Sequence, residues 1–320
     1  MKAIKTLLFL FGIGIFIFLF SFRAYGSGIE KIWFSPFGAE KTVDRKEPGF
    51  RILGLESGCY PERQPFRIPD DLKVKLYLQG PDGSFKEAKI ENKNGRSVLF
   101  FNTPLKGIYN ILLLLESVKE NIRYVRVIKK EVNGLYPEKK LEGLEANALL
   151  KPRLTADVPF ELIRERTDRE TDRLETLQSG DLVTFRAYFN DKPQKDVLIT
   201  VTTREGWHKT LITKEDGAAT FQLVRDNYKD ELDEQYPREF LAEAKFSVPE
   251  KGEFPGQKFT RTQYHFTWRF NHKPSELAYK SGLGFFYGFN LVLLLLVSGI
   301  FIYRLVTCRR YREERFNEWA

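Results

Sequence analysis

Cysteine is almost absent from this chain: Cys59 and Cys308 are the only two in 320 residues. Two thiols make no disulfide framework, and no CxxC or CxxCH spacing offers a redox or haem site. Histidine is nearly as scarce, with His208, His265 and His272 the whole supply. Borderline metals such as Ni²⁺ and Co²⁺ favour imidazole, so a site for either would draw on these three. The signatures GxSxG, HExxH, GxxxxGK[ST] and GxGxxG are all missing, which removes the usual warrants for a hydrolase or nucleotide enzyme. Cys59, within ESGCYP, is the one candidate nucleophile, and no histidine lies near it in sequence. It reads as a structural thiol.

What the chain does have is hydrophobic length in two places. From Gly282 to Tyr303 there is no charged residue. At 1.5 Å per residue that stretch covers roughly 33 Å, enough for a hydrocarbon core of about 30 Å. Arg304, Arg309, Arg310, Arg312 and Arg315 follow it, a flank that normally stays in the cytoplasm. At the other end, Lys2 and Lys5 precede an apolar run from Leu7 to Phe22, then Arg23 and Ala24-Tyr25-Gly26-Ser27. These are the basic, apolar and small-residue parts of a secretory signal. Cleavage after Gly26 and retention as a second anchor both fit, and the small-x-small site favours cleavage. Residue 27 onward is exported in either case.

The formal charge of +8 invites a nucleic-acid partner, but its distribution argues against one. Residues 1–26 carry +3 and the tail from Arg304 carries +2, leaving +3 over residues 27–303. The basic excess mostly marks membrane topology. Cys59 then lies outside the membrane and Cys308 inside.

Between the two apolar segments the pattern is that of strands. In residues 28–135, Ile29–Phe34 is short and apolar. LKVKLYLQGPDGSFKEAKI alternates over Leu72, Val74, Leu76 and Leu78, turns at Pro81-Asp82-Gly83 and resumes at Phe85. Ile111–Leu115 is too short to span a membrane and reads as a strand buried on both faces. Turn signals every 8–12 residues without a helical run predict a small β-sandwich. Residues 136–157 read as a connector, with a short helix around Leu141–Leu150. Strands resume with VPFELIRE, LVTFRAYF, DVLITVTT, KTLIT, AATFQLV and FLAEAKFSV. A turn at Glu215-Asp216-Gly217 joins two of them, and RTQYHFTWRFN is the final strand. The mixed-charge run Glu165–Glu175 reads as a solvated arm. The acidic run at Asp226, Asp230, Glu231, Asp233 and Glu234 lacks the D-x-D-x-D-G calcium loop and reads as a solvated loop.

The order VPFELI, LQSGDLVTFRAYFNDKPQKDVLITV, TKEDGAATFQL carries a family resemblance. It resembles the periplasmic domain family known as the substrate-specific component of nickel uptake, also linked with cobalt, over roughly residues 158–225, with an echo over 28–130. The resemblance implies transthyretin-like or immunoglobulin-like β-sandwiches beside a membrane anchor. It also implies a non-enzymatic role in capturing Ni²⁺ or Co²⁺ for a transport permease. The histidine that members of that family carry near an aromatic residue at the mature amino end has no counterpart in SGIEKIWFSP, so His208, His265 and His272 are the candidate ligands. On the final strand, the odd separation of His265 and His272 places them on opposite faces. All three read as surface histidines without a shared role.

The expected architecture is therefore mainly β, with two immunoglobulin- or transthyretin-like β-sandwich domains and one C-terminal transmembrane helix. A signal or anchor occupies 1–26, the first sandwich 27–135, the connector 136–157 and the second sandwich 158–271. A polar stem follows at 272–281, the span at 282–303 and a basic cytoplasmic tail at 304–320. Gly284-x-x-x-Gly288, with Asn290 beside it, is a candidate helix-packing surface for a partner in the membrane. The expected setting is a bacterial inner membrane with the bulk of the chain in the periplasm. The expected role is an accessory of metal uptake, or alternatively an envelope scaffold or interaction module without metal.

Overall fold

A strand whose every residue is apolar has no face to give to water, so it must sit between two layers. The run Ile111–Leu115 does this, and the fold is built around it. The structure, a computed structural model, describes residues 31–36, 49–134, 153–166, 177–224, 238–273 and 276–317. The first half contains β1 (Lys31–Pro36), β2 (Phe50–Gly58), β3 (Gln64–Pro65), β4 (Lys73–Gln79), β5 (Ala88–Lys93), β6 (Arg96–Asn102), β7 (Gly107–Lys119) and β8 (Ile122–Gly134). The second contains β9 (Phe160–Arg164), β10 (Leu177–Gln178), β11 (Leu182–Phe189), β12 (Lys192–Pro193), β13 (Leu198–Thr203), β14 (His208–Ile212) and β15 (Ala218–Gln222). It continues with β16 (Arg238–Val248), β17 (Gly252–Phe254), β18 (Gln257–Phe259) and β19 (Arg261–Lys273). Among the described residues the last element is a helix, α1 (Glu276–Asn317). The expected mainly β class with one apolar C-terminal helix is what the chain adopts.

The strands form a central sheet in the order β14-β13-β16-β19-β8-β7-β4, flanked by a sheet β1-β2-β6-β5 and a smaller sheet built on β11. The central sheet draws on both halves of the sequence. β8 and β19 join them in a parallel ladder from Arg261↔Ile122 to Trp268↔Lys129. The two sandwiches therefore share one layer. On β7, Ile111, Leu113 and Leu115 enter the first core with Leu53, Leu55, Leu99 and Phe101, while Leu112 and Leu114 enter the second. β8 divides likewise, Ile128 to the first core and Val125 and Val127 to the second.

The second core is aromatic. Phe160, Phe185 and Phe221 of the small sheet meet Phe240, Phe266, Trp268 and Phe270 of the central one. Trp268 and Phe270 have ring centroids 4.3 Å apart. Each such side chain contributes about 1.5–3 kcal/mol by leaving water.

The turn at Glu215-Asp216-Gly217 is present but does not close a hairpin. β14 belongs to the central sheet and β15 to the small one, so the turn is a corner between layers. Gly217 permits it: its φ is +74°, and an added Cβ would stand 2.7 Å from the Ala187 carbonyl oxygen. Phe50–Gly58, which shows no clean alternation, forms β2. Phe85 makes only an isolated bridge to Gln79, and β5 begins at Ala88.

The stem at 272–281 is not a separate polar linker. β19 runs to Lys273 and α1 starts at Glu276. The apolar window of α1 is Phe286–Thr307, four residues beyond the stretch read from the sequence, and none of it is buried within the chain. Its length and composition suit a membrane crossing. The amino-terminal segment, the helix at Leu141–Leu150 and the acidic run at Asp226–Glu234 lie outside the described residues, as does most of Glu165–Glu175.

Candidate functional site

The three histidines do not converge. His208 opens β14 and is exposed, its Nδ1 3.4 Å from the Gly206 carbonyl. His265 and His272 are buried, which corrects their reading as surface residues. The cause is the position of β19: the final strand of the sequence is an interior strand of the central sheet, with layers on both faces. The two rings point to opposite faces, as their odd spacing requires. His272 lies edge-on to Phe240, centroids 5.7 Å apart, on the second-core side. His265 faces the first half of the chain and donates from Nε2 to Glu243 Oε1 at 3.2 Å. Among the described residues, no group of three His, Cys, Asp or Glu side chains could hold a metal ion.

Glu243 is instead part of a seam between β1 and the central sheet. Lys31 of β1 pairs with its Oε2 at 2.5 Å. Burial alone would raise the Glu243 carboxyl, but the His265 hydrogen bond and the Lys31 charge outweigh it and hold it below the usual range. Further along, Thr267 Oγ1 donates to the Ile32 carbonyl at 2.5 Å and Arg269 to the Phe34 carbonyl at 3.5 Å. Arg269 also pairs with Glu239, and Trp33 Nε1 donates to Glu56 at 3.2 Å. Arg63 spans Glu56 at 3.6 Å and Glu239 at 3.7 Å. Tyr60 closes the corner, edge-on to Trp33 at 5.5 Å. Burial pushes the Arg269 guanidinium down to about 10 and the Tyr60 phenol well up. Cys59, beside this corner in sequence, is free and exposed.

On the opposite face Lys129 is buried, 2.7 Å from Glu161 Oε1, 3.1 Å from the Leu162 carbonyl and 4.4 Å from the Trp268 ring centroid. Glu161 Oε2 accepts from the Thr155 amide at 2.9 Å. Arg166 pairs with Glu131 at 2.8 Å. Each of these carboxylates is already engaged by a cation. The arrangement fixes layers and registers, the best-attested use of buried ion pairs.

The surface offers something different at its edges. A free sheet edge is a template for another strand unless it is short, charged, covered or broken by proline. β1 has its Ile32 and Phe34 carbonyls taken by Thr267 and Arg269. β9 is wholly buried, and its Leu162 carbonyl accepts from Lys129. β4 carries Lys73, which lies over Phe254, and Lys75. β5 carries Lys89, Glu91 and Lys93. β12 is two residues long and ends in Pro193. Two end strands are less guarded: β15 is uncharged but has three of its five residues buried, whereas β14, which among the described residues pairs only with β13, is exposed at four of five and has Lys209 as its one full charge. Ile212 is 60% exposed beside its register partner Leu198, 41% exposed.

Helix α1 is a second exposed apolar surface among the described residues. Gly288 follows Gly284 by one turn, and nothing lies against Gly288 or Gly299. Asn290 donates from Nδ2 to the Phe286 carbonyl at 2.7 Å, and Ser298 to the Leu294 carbonyl at 2.7 Å. One polar group of Asn290 is thus satisfied within its own helix. A shallow groove of about 500 Å³ runs along Val292, Leu295, Leu296, Gly299, Ile300 and Tyr303.

No protein-family profile matches this chain, and no curated protein matches its sequence. Solved structures with some likeness include the BSP domain of a biofilm-associated protein, 11% identical with a TM-score of 0.18. That likeness covers 72% of this chain and 28% of the other. Another is the D0-D1 domain of intimin, 13% identical with a TM-score of 0.20, covering 70% of this chain and 91% of the other. The chain thus spans less than a third of the length of the first.

Proposed function

We propose that this chain is a membrane-tethered, non-catalytic interaction module of a bacterial cell envelope. Its sandwiches stand on the periplasmic side of the inner membrane, its basic tail lies in the cytoplasm, and it works through contacts with other membrane proteins. The supporting observation is the join between β19 and α1. The strand that unites both sandwiches ends at Lys273, and the helix begins at Glu276. The anchor is thereby attached to the strand that both sandwiches share.

Two measurements test this. In intact spheroplasts a membrane-impermeant maleimide should label Cys59, which is exposed, while a Cys59→Ser variant retaining Cys308 should stay unlabelled until the membrane is permeabilised. The full chain should also co-isolate with a defined membrane complex. Deletion of 276–320, or Gly284→Leu with Gly288→Leu, should abolish that association while the leucine variant still inserts. Association that survives the leucine pair would reduce α1 to a tether. The metal-capture role implied by the family resemblance has no grouped ligand set among the described residues. Calorimetry of the purified chain with Ni²⁺ and with Co²⁺ is its test, and no heat of binding would remove direct capture.

A further inference from the structure

The backbone of β14 is poised to bond outward. The Thr213 amide donates to the Val197 carbonyl, and the Thr203 amide to the Trp207 carbonyl, so the odd-numbered residues face β13. In an antiparallel ladder the groups alternate, which turns the N–H and C=O of His208, Thr210 and Ile212 to the open edge. The side chains of these residues lie on the outer face, where Thr210 Oγ1 sits 2.9 Å from Thr200 Oγ1. The edge is exposed along its length apart from half-buried Leu211, and it carries no proline and one full charge, Lys209.

Direction identifies the kind of strand that fits. β16 is antiparallel to β19, β13 to β16 and β14 to β13, so β14 runs against β19. A strand added antiparallel to β14, the slightly stronger pairing, therefore runs with β19, toward the end of the sheet from which α1 leaves. A second copy anchored in the same bilayer presents its own β14 running the same way as the first, which leaves only a parallel pairing. Charge narrows the choice further. Lys209, Lys214 and Lys245 are exposed near this edge without a carboxylate partner among the described residues, whereas Lys195 is paired with Glu215 at 3.0 Å.

We propose that the β14 edge receives, by antiparallel strand addition, an extended juxtamembrane segment of a partner membrane protein, acidic opposite Lys209 and apolar beside Ile212. This rests on the interaction-module reading and names the surface and the partner chemistry. Main-chain bonds supply the affinity, and the alternating side chains supply the selection.

The experiment places a photo-crosslinking residue at Ile212 of the full chain in its own membrane, with one at Lys89 on the charged β5 edge as control. Cross-linked peptides are then sequenced. The expected product joins position 212 to a segment just before a membrane span of a different protein, and is absent from position 89. Thr210→Pro removes an outward N–H, which an edge strand tolerates, together with the Thr200 hydroxyl contact, and should reduce the product roughly tenfold, the loss of about one well-formed bond. If that variant melts at a lower temperature than its parent, Lys209→Glu serves instead; it leaves the backbone intact, repels the acidic segment and should lower the product several-fold. A product with a second copy, with a soluble protein or with lipid alone overturns the proposal, as does a yield that neither substitution changes. If no product forms at 212 while the full chain still co-isolates with its membrane complex, strand addition fails and the interaction-module reading stands. If both are absent, both fall.

Discussion

Lys130 shows how placement changes a common residue. It lies on β8 facing β1, donates to the Arg269 carbonyl at 3.2 Å, and has the Arg269 guanidinium nearby. Burial, then that like charge, pushes its amine down to about 8. The folded chain thus releases a proton that the unfolded chain still holds at that pH, so Lys130 adds stability as pH rises from about 8 toward the ordinary lysine value near 10.4. Urea midpoints across that interval should climb less in Lys130→Met than in the parent, and the variant should be the more stable protein at pH 7. Equal slopes in the two proteins would show that the amine is not held this way. Nothing in the local sequence IRYVRVIKKEV separates Lys130 from its neighbours, because their difference lies in which layer each one faces.

At the scale of the element, β9 is held to the central sheet by a charge pair inside an aromatic core. Lys129 reaches Glu161 and the Leu162 carbonyl from below the Trp268 ring, and the Glu161 carboxylate also caps the Thr155 amide. Removing the cation alone strands a buried carboxylate, so Lys129→Met should cost about 3–5 kcal/mol. Lys129→Met with Glu161→Met replaces the pair by apolar volume and should recover most of that loss, short of about 1 kcal/mol for the orphaned Thr155 amide. Denaturant unfolding of the single and double variants measures both. VPFELIRE is legible as a strand from its composition, yet Glu161 looks like any solvent-facing alternation. Only the packing of β9 onto the face that carries Lys129 buries it.

At the scale of the molecule, the shared sheet makes the two sandwiches interdependent. Residues 27–135 by themselves would expose Leu112, Leu114, Val125 and Val127 together with the β8 edge that β19 covers. That fragment should be insoluble alone and become soluble when residues 153–320 are co-expressed, read by fractionation and by co-purification of the two pieces. A fragment 27–135 that is monomeric and unfolds cooperatively would show that the boundary near residue 135 separates independent folding units. The same sheet brings a strand from each half of the chain to the centre and leaves β4 and β14 at its ends.

The sequence determined what depends on local pattern. The alternation of Leu72–Leu78 and Tyr264–Phe270, the two-faced apolar run at Ile111–Leu115 and the uncharged stretch ending at Tyr303 are readable because strands repeat every two residues and a membrane demands length. The opposite facing of His265 and His272 follows from the same period. Tertiary structure decided what depends on neighbours. β19 reads as a last strand and sits in the middle, which buries both histidines and ties one of them to Glu243. The turn at Asp216-Gly217 looks like a hairpin and instead changes sheet. The open edge of β14 exists because the chain leaves the central sheet after Ile212 and places β15 in the small one. Pairing partners across more than a hundred residues leave no mark in a local window, and those pairings produce the features on which the functional reading rests.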